Sequence, residues 1–297
     1  MKVLLIGANG QLGTDLLKVF RAAGDTVTPF THAQLDVCSE AQISKAMAEV
    51  KPDVVLNTAA YHRVDECEKQ SAMAFQVNGT AVMYLAQACK AAGATLAHYS
   101  TDYVFGGYEK GSPYEETDLP APVNVYGTSK VVGELLIAAY AERYFAIRTC
   151  GLYGVAGSSG KGGNFVETML KKAMAGDAIR VVDDQILTPT YTADLAQATR
   201  DLILTERYGL YHLSSEGQCS WYEFTRYIFE RAGLHAKLSP VKSSEFASPA
   251  RRPANSVLSK AKLRSVGLSI STWKDALPRY LEERSKKSTP VSPVSVS

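Results

Sequence analysis

A chain of 297 residues is long enough to bury a substantial core, as one large domain or as a nucleotide-binding domain with a smaller companion. Its composition, 46% hydrophobic and 21% charged with a formal net charge of +2, is that of a soluble globular protein and gives no reason to expect a nucleic acid or a membrane as partner. The five cysteines (Cys38, Cys67, Cys89, Cys150, Cys219) form no CxxC pair and have no neighbouring His cluster, which predicts free thiols in a reducing cytoplasm. The apolar run Val3 to Ile6 is too short for a signal peptide, and no stretch approaches the roughly 18 apolar residues of a membrane span, so a cytoplasmic location is expected.

In chain order, Lys2 to Ile6 reads as a buried strand, Gln11 to Ala23 as a helix ending before Gly24, and Thr26 to Phe30 as a second strand. A helix from about Glu40 to Val50 and the apolar run Asp53 to Asn57 follow. Then come a helix around Ala72 to Ala92, the strand Thr95 to Ser100, a long loop rich in Gly, Pro and Tyr, a helix from Tyr126 to Ala141 and a strand at Ala146 to Thr149. This alternation predicts an α/β fold with a doubly wound parallel sheet, a Rossmann domain covering residues 1–153 and about 185–215. Beyond residue 150 the pattern loosens: a glycine-rich loop (Gly154 to Gly163), a helix at Phe165 to Ala175, strands at Ile179 to Val182 and Gly209 to Leu213, and helices at Trp221 to Ala232 and Thr272 to Arg284. Residues 154–184 and 216–284 are expected to form a smaller substrate-binding α/β region, and Ser285 to Ser297 a disordered tail.

Between the first strand and first helix lies Gly7-Ala8-Asn9-Gly10-Gln11-Leu12-Gly13. Gly7 permits the turn, Gly10 lets backbone approach a pyrophosphate, and Gly13 lets the helix pack close to the strand, while the helix N-terminus offers N–H groups to an anion. A dinucleotide is the expected ligand. The second strand ends Thr28-Pro29-Phe30-Thr31-His32 without the carboxylate that holds an NAD ribose, which favours NADPH, but without an arginine for a 2′-phosphate, so NADH stays open. Asp36 reads equally as a helix cap or turn residue or as a cofactor contact.

Tyr126 and Lys130 are four residues apart at the start of one helix and so share a face. A phenol beside an ammonium is expected to become more acidic, fitting it to exchange a proton with a carbonyl oxygen as hydride moves to carbon. Lys130 can also bond the cofactor ribose. Thr101, in Ser100-Thr101-Asp102-Tyr103-Val104-Phe105 at the end of a strand, offers a hydroxyl to the same oxygen. Asp102 and Tyr103 are candidates for contact with the substrate or for ordering the loop.

With these stretches, and with Asn57-Thr58-Ala59-Ala60-Tyr61, Pro113-Tyr114, Gly133-Glu134, Arg148-Thr149, Gly163-Asn164-Phe165, Thr188-Pro189-Thr190 and Arg252-Pro253-Ala254-Asn255-Ser256, the chain resembles the extended short-chain dehydrogenases, specifically the dTDP-4-dehydrorhamnose reductase family, over about residues 1 to 283. The resemblance implies reduction of the 4-keto group of dTDP-4-dehydro-6-deoxy-L-mannose, a nucleotide-linked keto sugar, to dTDP-L-rhamnose. It implies Thr101, Tyr126 and Lys130 as catalytic residues; Ala59, Ala60, Tyr61, Asp36 and Val37 along the cofactor, beside Gly7, Asn9, Gly10, Gln11, Leu12 and Gly13; and Asn164 and Arg252 on the nucleotide-sugar side with Asp102 and Tyr103. An arginine suits a diphosphate because its planar fork can donate twice.

The chain also departs from that pattern. Cys150-Gly151 stands where the family often has Ser-Trp, so an aromatic wall for the sugar is expected to be missing; His62 and Arg63 add charge near the site's mouth; and Phe105-Gly106-Gly107 lacks a customary acid. Asp183-Asp184 leaves two readings open, a divalent-cation site with Mg2+ as candidate or a solvated turn. A monomer and a homodimer are both compatible with the sequence. Two other functions stay open: a nucleotide-sugar epimerase, and a non-catalytic NADP-binding module resembling the regulatory subunit of methionine adenosyltransferase.

Overall fold

The computed structural model describes residues 1–157 and 163–288. Its first half alternates strand and helix: β1 (Lys2–Ile6), α1 (Gln11–Ala22), β2 (Thr26–Phe30), α2 (Glu40–Val50), β3 (Val54–Asn57), then the short α3 (Val64–Lys69). The long helix expected around Ala72 to Ala92 is α4 (Ser71–Phe75), a π turn (Gln76–Thr80) and α5 (Ala81–Ala92) in continuous succession. β4 (Thr95–Thr101), α6 (Val125–Tyr140) and β5 (Tyr144–Thr149) complete this half.

The second half contains β6 (Leu152–Tyr153), α7 (Phe165–Met174), β7 (Ala178–Val182), β8 (Ile186–Leu187), β9 (Thr190–Tyr191) and α8 (Thr192–Leu204). After these come β10 (Gly209–His212), β11 (Cys219–Ser220), α9 (Trp221–Ala232), β12 (Lys237–Val241), α10 (Ala261–Ser265) and α11 (Trp273–Ser288).

Six strands form one parallel sheet in the order β10-β5-β4-β3-β1-β2. The chain leaves β1 for β2 on one side and returns to β3 on the other, and ligands of such sheets bind beyond the strand C-termini at that reversal. Side chains alternate across a strand, so Val3 and Leu5 of β1 enter one core while Leu4 and Ile6 enter the other. The first core is closed by Leu12, Leu16 and Phe20 of α1 and Leu195, Leu202 and Ile203 of α8; the second by Ile43 and Met47 of α2, Leu85 and Cys89 of α5 and Ile137 of α6. Helices thus cover both faces of the sheet, as the sequence pattern predicts.

A third core, built from Val166 and Leu170 of α7, Phe224 and Ile228 of α9, and Ala276, Leu277 and Tyr280 of α11, lies in the second half. Its paired strands β7 and β12 run parallel. β12 escapes sequence reading because Lys237, Ser239 and Pro240 are polar or strand-breaking; Pro240 is tolerated in a two-stranded edge pairing. α8 escapes it too, its apolar stripe diluted by Thr192, Asp194, Gln197 and Asp201.

Two expectations meet the limits of the described residues. The tail expected from Ser285 onward begins as helix, since α11 runs to Ser288 and Lys286 pairs with Glu282 one turn earlier at 2.7 Å; residues 289–297 lie outside the described part. Of the glycine-rich loop Gly154 to Gly163, residues 158–162 lie outside it as well.

Candidate active site

A cavity of about 1020 Å³ opens at the C-terminal edge of the sheet, over the reversal between β1 and β3. Its floor is the turn after β1. Gly7 adopts φ +79°, where L side chains are strained, and its N–H and that of Ala8 donate to Phe30 O at 2.9 and 3.1 Å, tying the turn to β2. A Cβ on Gly13 would lie 2.2 Å from Gly7 O, so α1 can approach the strand this closely only with glycine there. At Gly10 the same added carbon would meet only Gly7 O, at 3.3 Å. Gly10 is the N-cap of α1 and no side chain caps it, which leaves the first-turn N–H groups facing the cavity.

Gly7, Asn9, Gly10, Gln11, Leu12 and Gly13 all line this space. So do Asp36 and Val37 after β2, and Ala59, Ala60 and Tyr61 after β3. Asp36 also accepts from Cys38 N–H through Oδ1 at 2.9 Å, so its turn role and its place on the cavity coexist. The buried Oε1 of Gln11 and Oγ1 of Thr149 have no hydrogen-bond partner within the chain, and both residues border the cavity. Unsatisfied buried acceptors cost free energy, so a polar ligand is expected there. The cradle therefore fits a dinucleotide.

Sequence reasoning missed Asn78, in the π turn. Its Oδ1 accepts from Tyr61 N–H at 2.9 Å, and its Nδ2 donates to Tyr61 O and to Ser129 Oγ, both at 3.0 Å. That one side chain clamps the 59–61 loop to α6. The signal available in the sequence was only the irregular helix; π turns recur at functional sites because they re-aim side chains.

Thr101, Tyr126 and Lys130 all reach the cavity wall. Burial pushes the Tyr126 phenol well above its ordinary value, and the nearby Thr101 hydroxyl pulls it only partly back. This corrects the expectation that Lys130 makes the phenol more acidic: Lys130 Nζ instead lies 3.1 Å from His98 Nε2, deep under the site, and burial lowers its own pKa to about 7. The helical spacing put both residues on one face, but the buried polar partner on β4 was invisible to it.

Asp102 anchors the opposite side. Its Oδ1 accepts from Thr101 Oγ1 at 3.0 Å, and its Oδ2 from Cys150 Sγ at 2.9 Å and Ser256 Oγ at 2.5 Å. Burial raises its pKa while these three donors oppose the rise. Tyr103 packs edge-on against Tyr126, ring centroids 5.9 Å apart, and like Asp102 lines the cavity. Under the site Glu134 accepts from Ser100 Oγ at 2.5 Å and from Arg148 Nε and Nη2 at 2.9 and 2.7 Å, fixing α6 to β4 and β5.

Asn124 caps the helix that carries Tyr126: its Oδ1 accepts from Gly127 N–H at 2.7 Å while Nδ2 donates to Arg251 O at 2.8 Å. Replacing it by Ala removes the cap and the bond to Arg251 O, so urea unfolding should show a loss of about 1–2 kcal/mol. Asn124→Asp keeps the cap acceptor and should lose less.

The sugar side departs most from expectation. Asn164 borders the cavity, but its amide caps α7 by accepting from Glu167 N–H at 3.0 Å and donates to Gly154 O and Tyr280 Oη. Arg252 is bound to Asp65, with Nη2 donating to Oδ2 at 2.9 Å, and is not among the residues lining the cavity; its neighbours Pro253 and Ser256 are. The aromatic wall expected to be missing beside Cys150-Gly151 is supplied elsewhere: Phe165 and Trp221, ring centroids 4.3 Å apart, both face the cavity from α7 and α9. His62 lines the mouth, and Arg63 pairs with Glu66 at 2.8 Å.

The Mg2+ expectation finds no support. Asp183 pairs with Lys242 at 3.0 Å, Asp184 accepts from Ser243 N–H and Oγ, and among the described residues no group of three or more His, Cys, Asp or Glu could hold a metal ion. No described helix is long and apolar enough to cross a membrane.

Comparison with known proteins gives a match to the family model described as RmlD substrate binding domain over residues 1–286. The spore coat polysaccharide biosynthesis protein SpsK of Bacillus subtilis is 42% identical over 285 residues, covering 96% of this chain and 98% of that protein. A dTDP-4-dehydrorhamnose reductase of Burkholderia thailandensis is 38% identical, covering 93% and 97%. Among solved structures, the dTDP-4-dehydrorhamnose reductase of Bacillus anthracis in complex with NADP superposes with a TM-score of 0.90 at 38% identity, covering 95% of this chain and 100% of that one.

Proposed function

The chain belongs to the RmlD substrate binding domain family, and from that premise we propose that it reduces the 4-keto group of dTDP-4-dehydro-6-deoxy-L-mannose with NADPH, giving dTDP-L-rhamnose. The observation that carries this reading is the convergence of Thr101, Tyr126 and Lys130 on the same cavity as the Gly7 to Gly13 cradle. When bound, NADPH supplies the hydride. The chain supplies the rest.

The phenol of Tyr126, which burial keeps protonated through neutral pH, is the proton donor to the developing alkoxide. Reduction needs the acid form, so the raised pKa suits this direction; the reverse oxidation needs the phenolate and is disfavoured at neutral pH. Thr101 stabilises the same oxygen by a second hydrogen bond, turning its hydroxyl from Asp102 toward the substrate. Lys130 holds the cofactor ribose. Asp102 and Tyr103 orient the sugar, and the Phe165–Trp221 pair offers it an apolar face.

Asn164 forms part of the wall, and Arg252 would have to leave Asp65 to reach a diphosphate. Residues 1–153 with 185–215 make up the cofactor half, in keeping with α8 on α1 and β10 beside β5; 154–184 and 216–284 make up the sugar half, around the third core. Five free thiols fit a reducing cytoplasm. The end of β2, with Thr31 held by Gln34 and His32 on the cavity wall, presents no carboxylate to repel a 2′-phosphate, which favours NADPH over NADH.

The test is an assay of NADPH oxidation with the keto sugar supplied and the product identified by chromatography. Formation of dTDP-L-rhamnose is expected; unchanged NADPH with this and other nucleotide-linked keto sugars would reject the reading. Thr101→Val, nearly isosteric, should lower kcat by about 10²-fold with little change in KM for NADPH, as expected for a donor used in the transition state.

A further inference from the structure

We propose that the Asn57–His98 pair sets the protonation of Lys130, favouring the neutral amine over the ammonium in the cofactor-free protein. Three hydrogen bonds lead to this assignment. Asn57 Oδ1 accepts from Ala59 N–H at 3.1 Å, so the NH2 end of the amide is the one turned to His98, with Nδ2 3.0 Å from Nδ1. Nδ1 is therefore an acceptor and carries no proton. A neutral imidazole has one ring proton, which then sits on Nε2, and Nε2 lies 3.1 Å from Lys130 Nζ. An ammonium has three donors and no acceptor, so opposite Nε2–H it would set donor against donor. A neutral amine has the lone pair that this contact requires.

The surroundings reinforce the geometry. Asn57, His98 and Lys130 are each at most 1% exposed, so water cannot mediate the clash. Burial lowers Lys130 to about 7 and His98 well below its ordinary value. Glu134 on its own helix and His98 on β4 are the ionisable groups that act on the amine. Glu134 alone favours the ammonium, and its oxygens are already taken by Arg148 and Ser100. His98 is thus a positioning residue that acts through Lys130, and Asn57 acts through His98.

The consequence for turnover rests on the proposed role of Lys130 at the ribose, where a charged donor has to be formed by proton uptake. The test does not rest on it. In the full chain without cofactor or substrate, ¹⁵N NMR of labelled histidine followed from about pH 6 to about pH 9 should show His98 with a protonated Nε2 and a bare Nδ1 throughout. Its Nε2 signal should make one step near pH 7 as Lys130 titrates. Asn57→Asp keeps an acceptor for Ala59 N–H but presents an oxygen to Nδ1, which moves the ring proton there and turns Nε2 into an acceptor for the ammonium.

In that variant the step should move up by at least about one pH unit. A proton on Nδ1 in the unsubstituted chain, an imidazolium at neutral pH, no step at all, or a step unmoved by Asn57→Asp would each overturn the proposal. If the variant does not fold, the titration of the unsubstituted chain decides alone. Because neither readout involves catalysis, an inactive enzyme and a wrong protonation assignment remain distinguishable.

Discussion

Tyr126→Phe should reduce kcat for the keto sugar by about 10²- to 10⁴-fold, the contribution of a positioned general acid, while the affinity for NADPH stays within experimental scatter. The ring remains, so the edge-on contact with Tyr103 survives, and only the hydroxyl is lost. Loss of one such hydroxyl costs about 1 kcal/mol, too little to unfold the chain. Fluorescence titration with NADPH and stopped-flow oxidation in the same preparation separate the two effects. Turnover equal to that of the unsubstituted chain would mean that another group on the cavity wall donates the proton.

Gly13→Ala should weaken NADPH binding by at least about 10-fold and lower stability by about 1–3 kcal/mol, although alanine is ordinarily the better helix former by roughly 1 kcal/mol. The contact decides the sign: the new carbon would stand 2.2 Å from Gly7 O and 3.0 Å from Ala8 Cα, both backbone, so nothing flexible can give way. α1 must move off the strand, and with it the N–H groups that face the cavity. Gly111→Ala is the matched control, since an added carbon there meets nothing within 4 Å and should leave both quantities unchanged. Isothermal titration with NADPH and urea unfolding of both variants check this; equal affinities would detach the glycine turn from cofactor binding.

The parallel sheet was legible in the sequence because its strands are short apolar runs between glycine turns and periodic helices; β1, β2 and α2 fall at their predicted bounds. The cradle was legible for a steric reason: only glycine tolerates the φ of Gly7 and the contact at Gly13. What stayed hidden depends on partners distant in sequence. Asn78, His98 and Ser256 meet Tyr61, Lys130 and Asp102 across separations that no local pattern encodes. The same limit explains Arg252: its fork, read as a diphosphate ligand, is occupied by Asp65, 187 residues away. It also explains the phenol, whose acidity is governed by burial that spacing does not reveal.

The most direct measurement of the central claim follows the hydride itself. NADPH deuterated at the transferable position of the nicotinamide is mixed with the chain and dTDP-4-dehydro-6-deoxy-L-mannose, and the product is analysed by NMR. Deuterium is expected on C4 of the sugar in dTDP-L-rhamnose, in step with cofactor oxidation. Deuterium retained in the cofactor, or a sugar product that forms without it, would contradict hydride transfer from NADPH to C4.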